Sequence, residues 1–373
     1  MLYWIAPYLT KVWGPFRLLS SHLMLLAAGT LIGGLVIWSF LPRLWHRLPT
    51  DRGKVLASDG GKASAGKPTG AGVLMALLLI PIIILFVPFG PWEFGTVLCL
   101  YLSMLFGYLD DRSVLPWGEL KKGLLDLVVA LGAAYFLYMG HGSYVWLPFF
   151  KHAIDIPLHY YVPGAAILLW FTMNATNCSD GVDGLAGSLT LLSLFSLAGL
   201  LYGVVGYRPI ADYLLIPHNP DGARWAILVA TMAGSLAGYL WHNAEPSRVL
   251  MGDAGSRLLG MLVGVAVLAA GNPFLIVVVS PVVLVNGGTG LVKLVLLRTF
   301  RYIGFDVRPP NTLPPEVASR QNRLIKMLHS VRFPLHDHCR KNMRWSNAQV
   351  LMRFVLIQSF LTPLLFVILV KIR

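Results

Sequence analysis

Hydrophobic residues in this chain run on without a break where a strand would alternate. The stretch Leu74–Val87 is apolar at nearly every position and carries no charge. A membrane-spanning helix needs roughly 20 such residues, because a hydrocarbon core about 30 Å thick is crossed at about 1.5 Å per residue. The strands of a transmembrane barrel would instead alternate apolar with polar positions. The pattern therefore predicts an all-α integral membrane protein. Apolar windows between glycine, proline and charge give ten spans: 22–41, 70–88, 94–109, 123–140, 161–177, 185–205, 224–242, 256–271, 273–298 and 349–370. The third and eighth are short and are expected to borrow flanking residues or to tilt. The ninth holds Asn286, Gly287, Gly288 and Gly290, a cluster expected to weaken or break its helix. The window 22–41 is too long for a signal-peptide core of roughly 7–15 residues, and no small-x-small cleavage pattern follows it, so it reads as a retained span. Residues 1–373 thus form one polytopic domain with a long basic loop at about 299–348.

Composition strengthens this picture. Only 13% of residues are charged and 56% are hydrophobic, against about 25% charged in a soluble domain. The net charge of +13 does not point to nucleic acid in a chain this apolar. The positive-inside rule and contact with anionic membrane lipids account for it. On alternate sides of the ten spans, one side collects 21 Lys and Arg and the other 7. The richer side is expected to be cytoplasmic, which leaves both termini periplasmic. Cys99, Cys178 and Cys339 show neither paired nor metal-ligand spacing, and no disulfide is expected.

With this orientation the informative carboxylates share one face. Asp110 and Asp111 close the third span in Gly107-Tyr-Leu-Asp-Asp-Arg112. Asn174, Asn177, Asp180 and Asp183 follow the fifth, in Asn174-Ala-Thr-Asn-Cys-Ser-Asp-Gly-Val-Asp-Gly184. Asp253 precedes the eighth, in Met251-Gly-Asp-Ala-Gly-Ser256. Carboxylates gathered this way repel one another unless a cation or proton intervenes. Hard oxygen donors suit Mg²⁺, which takes one or two carboxylates together with water and substrate phosphates. Glycines beside Asp180, Asp183 and Asp253 let the backbone approach a phosphate. The implied chemistry is attack on phosphorus, with the metal offsetting charge on the transferring group. Taken alone, Asp110-Asp111 also fits helix capping. The Asn-x-x-Asn-x-x-Asp-Gly-x-Asp-Gly string is harder to read as capping.

Two further motifs lie on the same side. In Pro334-Leu-His-Asp-His-Cys339, His336 and His338 suit phosphate binding, proton relay, a metal or simple solvation. Arg340, Lys341 and Arg344 beside them suit substrate carboxylates as well as lipid contact. The glycine-rich stretch Gly60–Gly72 carries Lys62 and Lys67 into the second span. It could cradle phosphates or serve as a linker, although it lacks the order of a P-loop.

Together these residues resemble the phospho-N-acetylmuramoyl-pentapeptide transferase family, within the polyprenyl-phosphate N-acetylhexosamine-1-phosphate transferases. The resemblance covers nearly the whole chain. It runs from Met1-Leu-Tyr-Trp-Ile-Ala through Gly-Tyr-Leu-Asp110-Asp111 and the Asn174 to Gly184 string to Met-Gly-Asp253-x-Gly-Ser. It continues into Pro-Leu-His336-x-His338 and Trp345-Ser…Arg353-Phe. The resemblance implies ten helices, a cytoplasmic site, and transfer of phospho-MurNAc-pentapeptide from its UDP donor to undecaprenyl phosphate. Lipid I and UMP would be the products. Carried over by motif, Asp253 would ligate Mg²⁺, Asp110 would help activate the lipid phosphate and Asp111 would support that site. Asn174, Asn177, Asp180 and Asp183 would position the nucleotide and diphosphate, with Asn243 near the uridine. His336 and His338 would serve diphosphate or substrate binding. Dimers are common in such families, so a homodimer is a partner the resemblance allows.

The chain departs from the family pattern in several places. Ser64 stands where the family has lysine, so Lys62 or Lys67 would substitute, and the lysine usual after Asp-Asp is missing. Asp337 replaces the middle residue of a three-His run, and 300–328 reads as an insertion. A transferase acting on UDP-GlcNAc is the nearest alternative. A secondary transporter is the alternative of a different class, disfavoured because Asp126 and Lys293 are the clearest charges within the spans.

Leu250 stands where an aromatic often precedes Met-Gly-Asp, which removes a stacking face for uracil. Leu250→Phe is expected to tighten binding of the UDP-sugar donor, read as a lower dissociation constant by calorimetry. An unchanged or weaker affinity would reject the lost-stacking idea.

Overall fold

The computed structural model describes residues 1–51, 65–113, 115, 117–142, 144–148, 150, 152–314, 319 and 321–371. Lys62, one of the expected substrate-binding residues, lies outside them, as does Ser64. The described helices are α1 (Leu2–Thr10), α2 (His22–Leu44), α3 (Ala71–Phe86), α4 (Pro91–Arg112) and α5 (Glu119–His141). They continue with α6 (Leu158–Ser179), α7 (Leu185–Leu200), α8 (Arg208–Tyr213), α9 (Gly222–Asn243) and α10 (Gly252–Ala269). After these come α11 (Leu275–Val279), α12 (Pro281–Tyr302), α13 (Arg323–Ser330), α14 (Leu335–Lys341) and α15 (Asn347–Lys371). A two-residue hairpin, Tyr144–Val145 against Ile154–Asp155, joins α5 to α6.

Eight helices among the described residues are long and apolar enough to cross a membrane: α2, α4, α5, α7 with its continuation to Val205, α9, α10, α12 and α15. α3 is a shorter apolar helix of 16 residues. α6, 22 residues long, covers the remaining expected window. The third span does borrow flanking residues, growing to 22 from Pro91, whose fixed φ suits the first turn of a helix.

α9 and α10 are almost enclosed, whereas α2 and α15 expose most of their apolar side chains. Small residues let the central helices approach closely. Where α2 crosses α9, a Cβ on Gly234 would fall 2.0 Å from the Thr30 carbonyl oxygen. Such seams suit a lipid solvent, in which packing and not hydrophobic exclusion drives helices together.

The ninth span breaks, though at a different point from the one the sequence suggests. α11 ends at Val279 and α12 begins at Pro281, which has no N–H to continue the helical ladder. Groups at the break are satisfied locally: Ser193 Oγ donates to the Val279 carbonyl (2.8 Å) and lies 2.7 Å from Ser280 Oγ. Gln358 Nε2 donates to Ser193 Oγ (3.2 Å) and to the Leu189 carbonyl (2.7 Å). The Asn286-Gly287-Gly288 cluster stays helical as a wider turn over Leu284–Gly288. A Cβ on Gly287 would lie 1.9 Å from the Ala175 carbonyl oxygen, so the glycine serves close contact with α6.

The 21 basic residues counted on the richer side include Arg257, although the 256–271 window contains it, and the structure corrects the count. Arg257 lies within α10 and is 2% exposed, where it pairs with the buried Asp126 of α5 (2.7 Å). The intramembrane aspartate thus has an intramembrane counter-ion. The ends of α4, α6 and α9 and the starts of α5, α7 and α10 meet at one end of the bundle, and there the candidate residues collect.

Candidate active site

The centre of the cluster is a pair of carboxylates sharing one cation. Asp110, on the last turn of α4, forms an ion pair with Lys122 of α5 through Oδ2. Its Oδ1 accepts the Trp117 backbone N–H (2.8 Å). Lys122 Nζ also lies 3.3 Å from Asp253 Oδ2 on the first turn of α10. Arg257, one turn further along α10, approaches the same Asp253 oxygen at 3.5 Å. Arg257 Nη1 then donates to Asp126, whose other oxygen accepts from Asn174 Nδ2 (3.3 Å). The charges form one connected series: Asp110, Lys122, Asp253, Arg257, Asp126. Asp110 and Asp126 are buried, while the Asp253 side chain is about a quarter exposed.

Asp111 does different work. Its Oδ1 accepts the Asp253 backbone N–H (3.0 Å) and its Oδ2 that of Ala254 (3.1 Å). A carboxylate from α4 therefore caps the exposed amides that begin α10, where negative charge also suits the helix dipole. Space for this comes from Gly252, at φ +70°, where a Cβ would fall 2.4 Å from Asp111 Oδ2.

A second cluster adjoins the first through backbone pairing. The Leu250 N–H donates to the Pro68 carbonyl (2.8 Å), and Ala71 and Gly72 donate to Leu250 and Met251. This seam places Lys67 beside Ser247 (Nζ to Oγ, 3.0 Å) and Asp183 (3.6 Å). Asp183 also accepts the Ser247 N–H (3.0 Å). Asn243 accepts the Gly184 N–H (2.9 Å) and donates to the Val249 carbonyl (2.8 Å), so both ends of its amide hold loops together. Asp180 is exposed at the end of α6, one turn beyond Asn177.

The histidine motif closes the other side of the Asp180–Gly184 loop. His336 is buried on α14, and the Asn286 Oδ1 accepts from both its backbone N–H (2.9 Å) and its Nδ1 (3.1 Å). That contact assigns the proton to Nδ1 and leaves Nε2 as an acceptor facing Gly181, where a Cβ would fall 2.3 Å from it. Burial pushes the imidazole down to about 4; Asp337 opposes this, and Arg340 and Lys341 add to it. His338 turns elsewhere and accepts the Arg332 N–H (3.3 Å).

The structure thus joins Asp110, Asp111 and Asp253 directly, and Lys67, Asp183 and Asn243 around the neighbouring loop. Asn174 belongs to the buried Asp126 pair. Sequence reading missed Lys122, Arg257, Ser247 and Asn286 as members of the site. The spacing of Asp253 and Arg257 at i, i+4 on one helix face was the available signal for Arg257. Among the described residues, no three His, Cys, Asp or Glu gather as an all-protein metal cage. The two carboxylates turned toward one ammonium are, however, a hard-oxygen pair of the kind Mg²⁺ uses with substrate phosphates.

Comparison with known proteins shows the family. Residues 93–271 match the model of glycosyl transferase family 4. The chain is 43% identical over 375 residues to "Phospho-N-acetylmuramoyl-pentapeptide-transferase" of two strains of Treponema pallidum, covering 99% of this chain and 96% of each relative. A protein of the same name from Nautilia profundicola is 29% identical over 85% of both chains. On that identity across almost its whole length, the chain belongs to the phospho-N-acetylmuramoyl-pentapeptide-transferase family.

Proposed function

We propose that this protein transfers phospho-MurNAc-pentapeptide from UDP-MurNAc-pentapeptide to undecaprenyl phosphate, giving lipid I and UMP for peptidoglycan synthesis. The observation that carries this reading is the convergence of Asp110 and Asp253 on Lys122 at one end of a membrane bundle. The reaction forms a bond between an oxygen of the lipid phosphate and the sugar-bearing phosphorus of the donor. The bridging oxygen of the diphosphate leaves with UMP. An enzyme for this exchange must accept a lipid from the side and a nucleotide from the water, and carboxylates at a helix-end face suit both approaches. We place that face in the cytoplasm, with ten spans and both termini periplasmic, because Lys and Arg concentrate on the same side.

Asp253, with Asp110 beside it, would hold Mg²⁺. When bound, the ion would offset negative charge on the diphosphate as it is transferred. The chain's own residues carry the rest. Asp110 orients and activates the lipid phosphate, and Asp111 fixes Asp253 by capping α10. Lys67 lies against Asp183 and supplies a cation for the diphosphate, which Asn177 and Asp180 help to position. Asn243 acts by holding the loops that meet the uridine. His336, uncharged at neutral pH, offers an acceptor, while His338 is turned to the Arg332 N–H.

Purified protein with Mg²⁺ and undecaprenyl phosphate is expected to release UMP from UDP-MurNAc-pentapeptide and not from UDP-GlcNAc. Release from UDP-GlcNAc alone would transfer the protein to the related activity. Asp253→Asn is expected to lower turnover roughly 10²–10³-fold while donor binding persists; normal turnover with intact binding would remove the metal role. The His336 ring is neutral in the fold and gains a proton more readily when unfolded. Its contribution to stability is therefore present above pH 6.5 and lost as pH falls toward about 4. The gap is worth about 3 kcal/mol. Thermal unfolding from pH 7 to pH 4 should lose less stability in His336→Gln than in the parent, and parallel curves would refute the assignment.

A further inference from the structure

Lys293 of α12, the 309–312 turn, α13 and residues 330–342 border a cavity that the transferase reading does not use. The 309–312 turn, α13 and residues 330–332 fold back along α12 and enclose about 540 Å³. Lys293, Lys326, His329 and Arg332 line it, with Thr312 and Asn342, and among the described residues no Asp or Glu does. Its ammonium groups are held by neutral partners. Lys293 Nζ donates to the Val331 carbonyl (3.0 Å) and stands 5.6 Å from the centre of the Phe333 ring. Lys326 Nζ donates to the Ser319 carbonyl (2.9 Å). Within the described residues, no ion pair neutralises Lys293, Lys326 or Arg332. A basin whose positive charge has no counter-ion among the described residues is a place for an anion.

The surroundings indicate which anion. Lys293 lies on α12, one of the helices fit to cross a membrane. Around it on α12, Val292, Val295 and Leu296 stay exposed, and Leu324 and Met327 do so on α13. Cations carried on helices that also expose apolar side chains suit an amphiphile, with phosphate in the basin and acyl chains along the helix. We propose that this basin binds the phosphate of an anionic membrane phospholipid, at a site separate from that of the reacting lipid.

The test uses delipidated full-length protein in neutral detergent, titrated with dioleoyl phosphatidylglycerol or dioleoyl phosphatidylcholine and read by native mass spectrometry. Phosphatidylglycerol should bind more tightly than phosphatidylcholine. Removing two basic contacts in Lys326→Gln/Arg332→Gln should weaken phosphatidylglycerol about 30-fold at the usual worth of such contacts. Arg301→Gln/Arg323→Gln removes the same charge outside the basin and should leave binding within about threefold. Lys326→Arg, which keeps the charge, should retain binding and guards against misfolding as the cause of loss. Equal loss in both double variants, or equal binding of the two lipids, would overturn the proposal. Displacement of the lipid by millimolar inorganic phosphate or UDP would instead make the basin a site for a soluble phosphate. None of these readouts depends on turnover, so the proposal stands or falls apart from the assigned reaction.

Discussion

Negative charge at the rim of a lipid-solvated bundle has to be balanced from within, and the Asp110–Lys122–Asp253–Arg257–Asp126 series does this. Ion pairs of this kind contribute little to stability when intact, but a buried charge left without its partner is costly. The members therefore constrain one another's geometry. Arg257 stays buried because Asp126 does, and its second contact keeps Asp253 turned toward Lys122 and Asp110. The site's orientation is set from below, by a pair inside the membrane helices, as much as by the loops around it.

The same arrangement explains why carboxylates distant in sequence behave as a unit. Asp111 bonds to the backbone of Asp253 and Ala254, so the end of α4 and the start of α10 move together. Asn286 plays a comparable part for His336, since a single carbonyl oxygen accepts from both backbone and ring. The wide turn at Leu284–Gly288 places Asn286 there while Gly287 lets α12 lie against α6. The break at Ser280–Pro281 comes before this turn, and Ser193 of α7, itself held by Gln358 of α15, meets its freed polar groups.

Much of this could be read in the sequence because lipid imposes long apolar runs, and each of the ten windows is met by helix. The three acidic motifs could be read because Asp and Gly at those spacings are costly without a ligand. What stayed hidden was pairing at a distance. Lys122 appears in the sequence only as one more positive charge. Arg257 falls inside the 256–271 window, yet its pairing with Asp126 cannot be seen from the sequence. The histidine pair looks symmetric in sequence, yet one ring is buried against Asn286 and the other turns toward Arg332. Glycines suggest the helix break, but it comes at proline, since a missing donor outweighs added flexibility.

The seam between Pro68–Gly72 and Leu250–Met251 carries one more consequence. Its bonds run through main-chain atoms, and they form only because no side chain stands at Gly72, where a Cβ would fall 2.2 Å from Gly255 Cα. Length is held as tightly as the glycines are. A residue added or lost between Lys67 and Ala71 would slide the lysine past Asp183 while leaving every neighbouring motif intact to the eye.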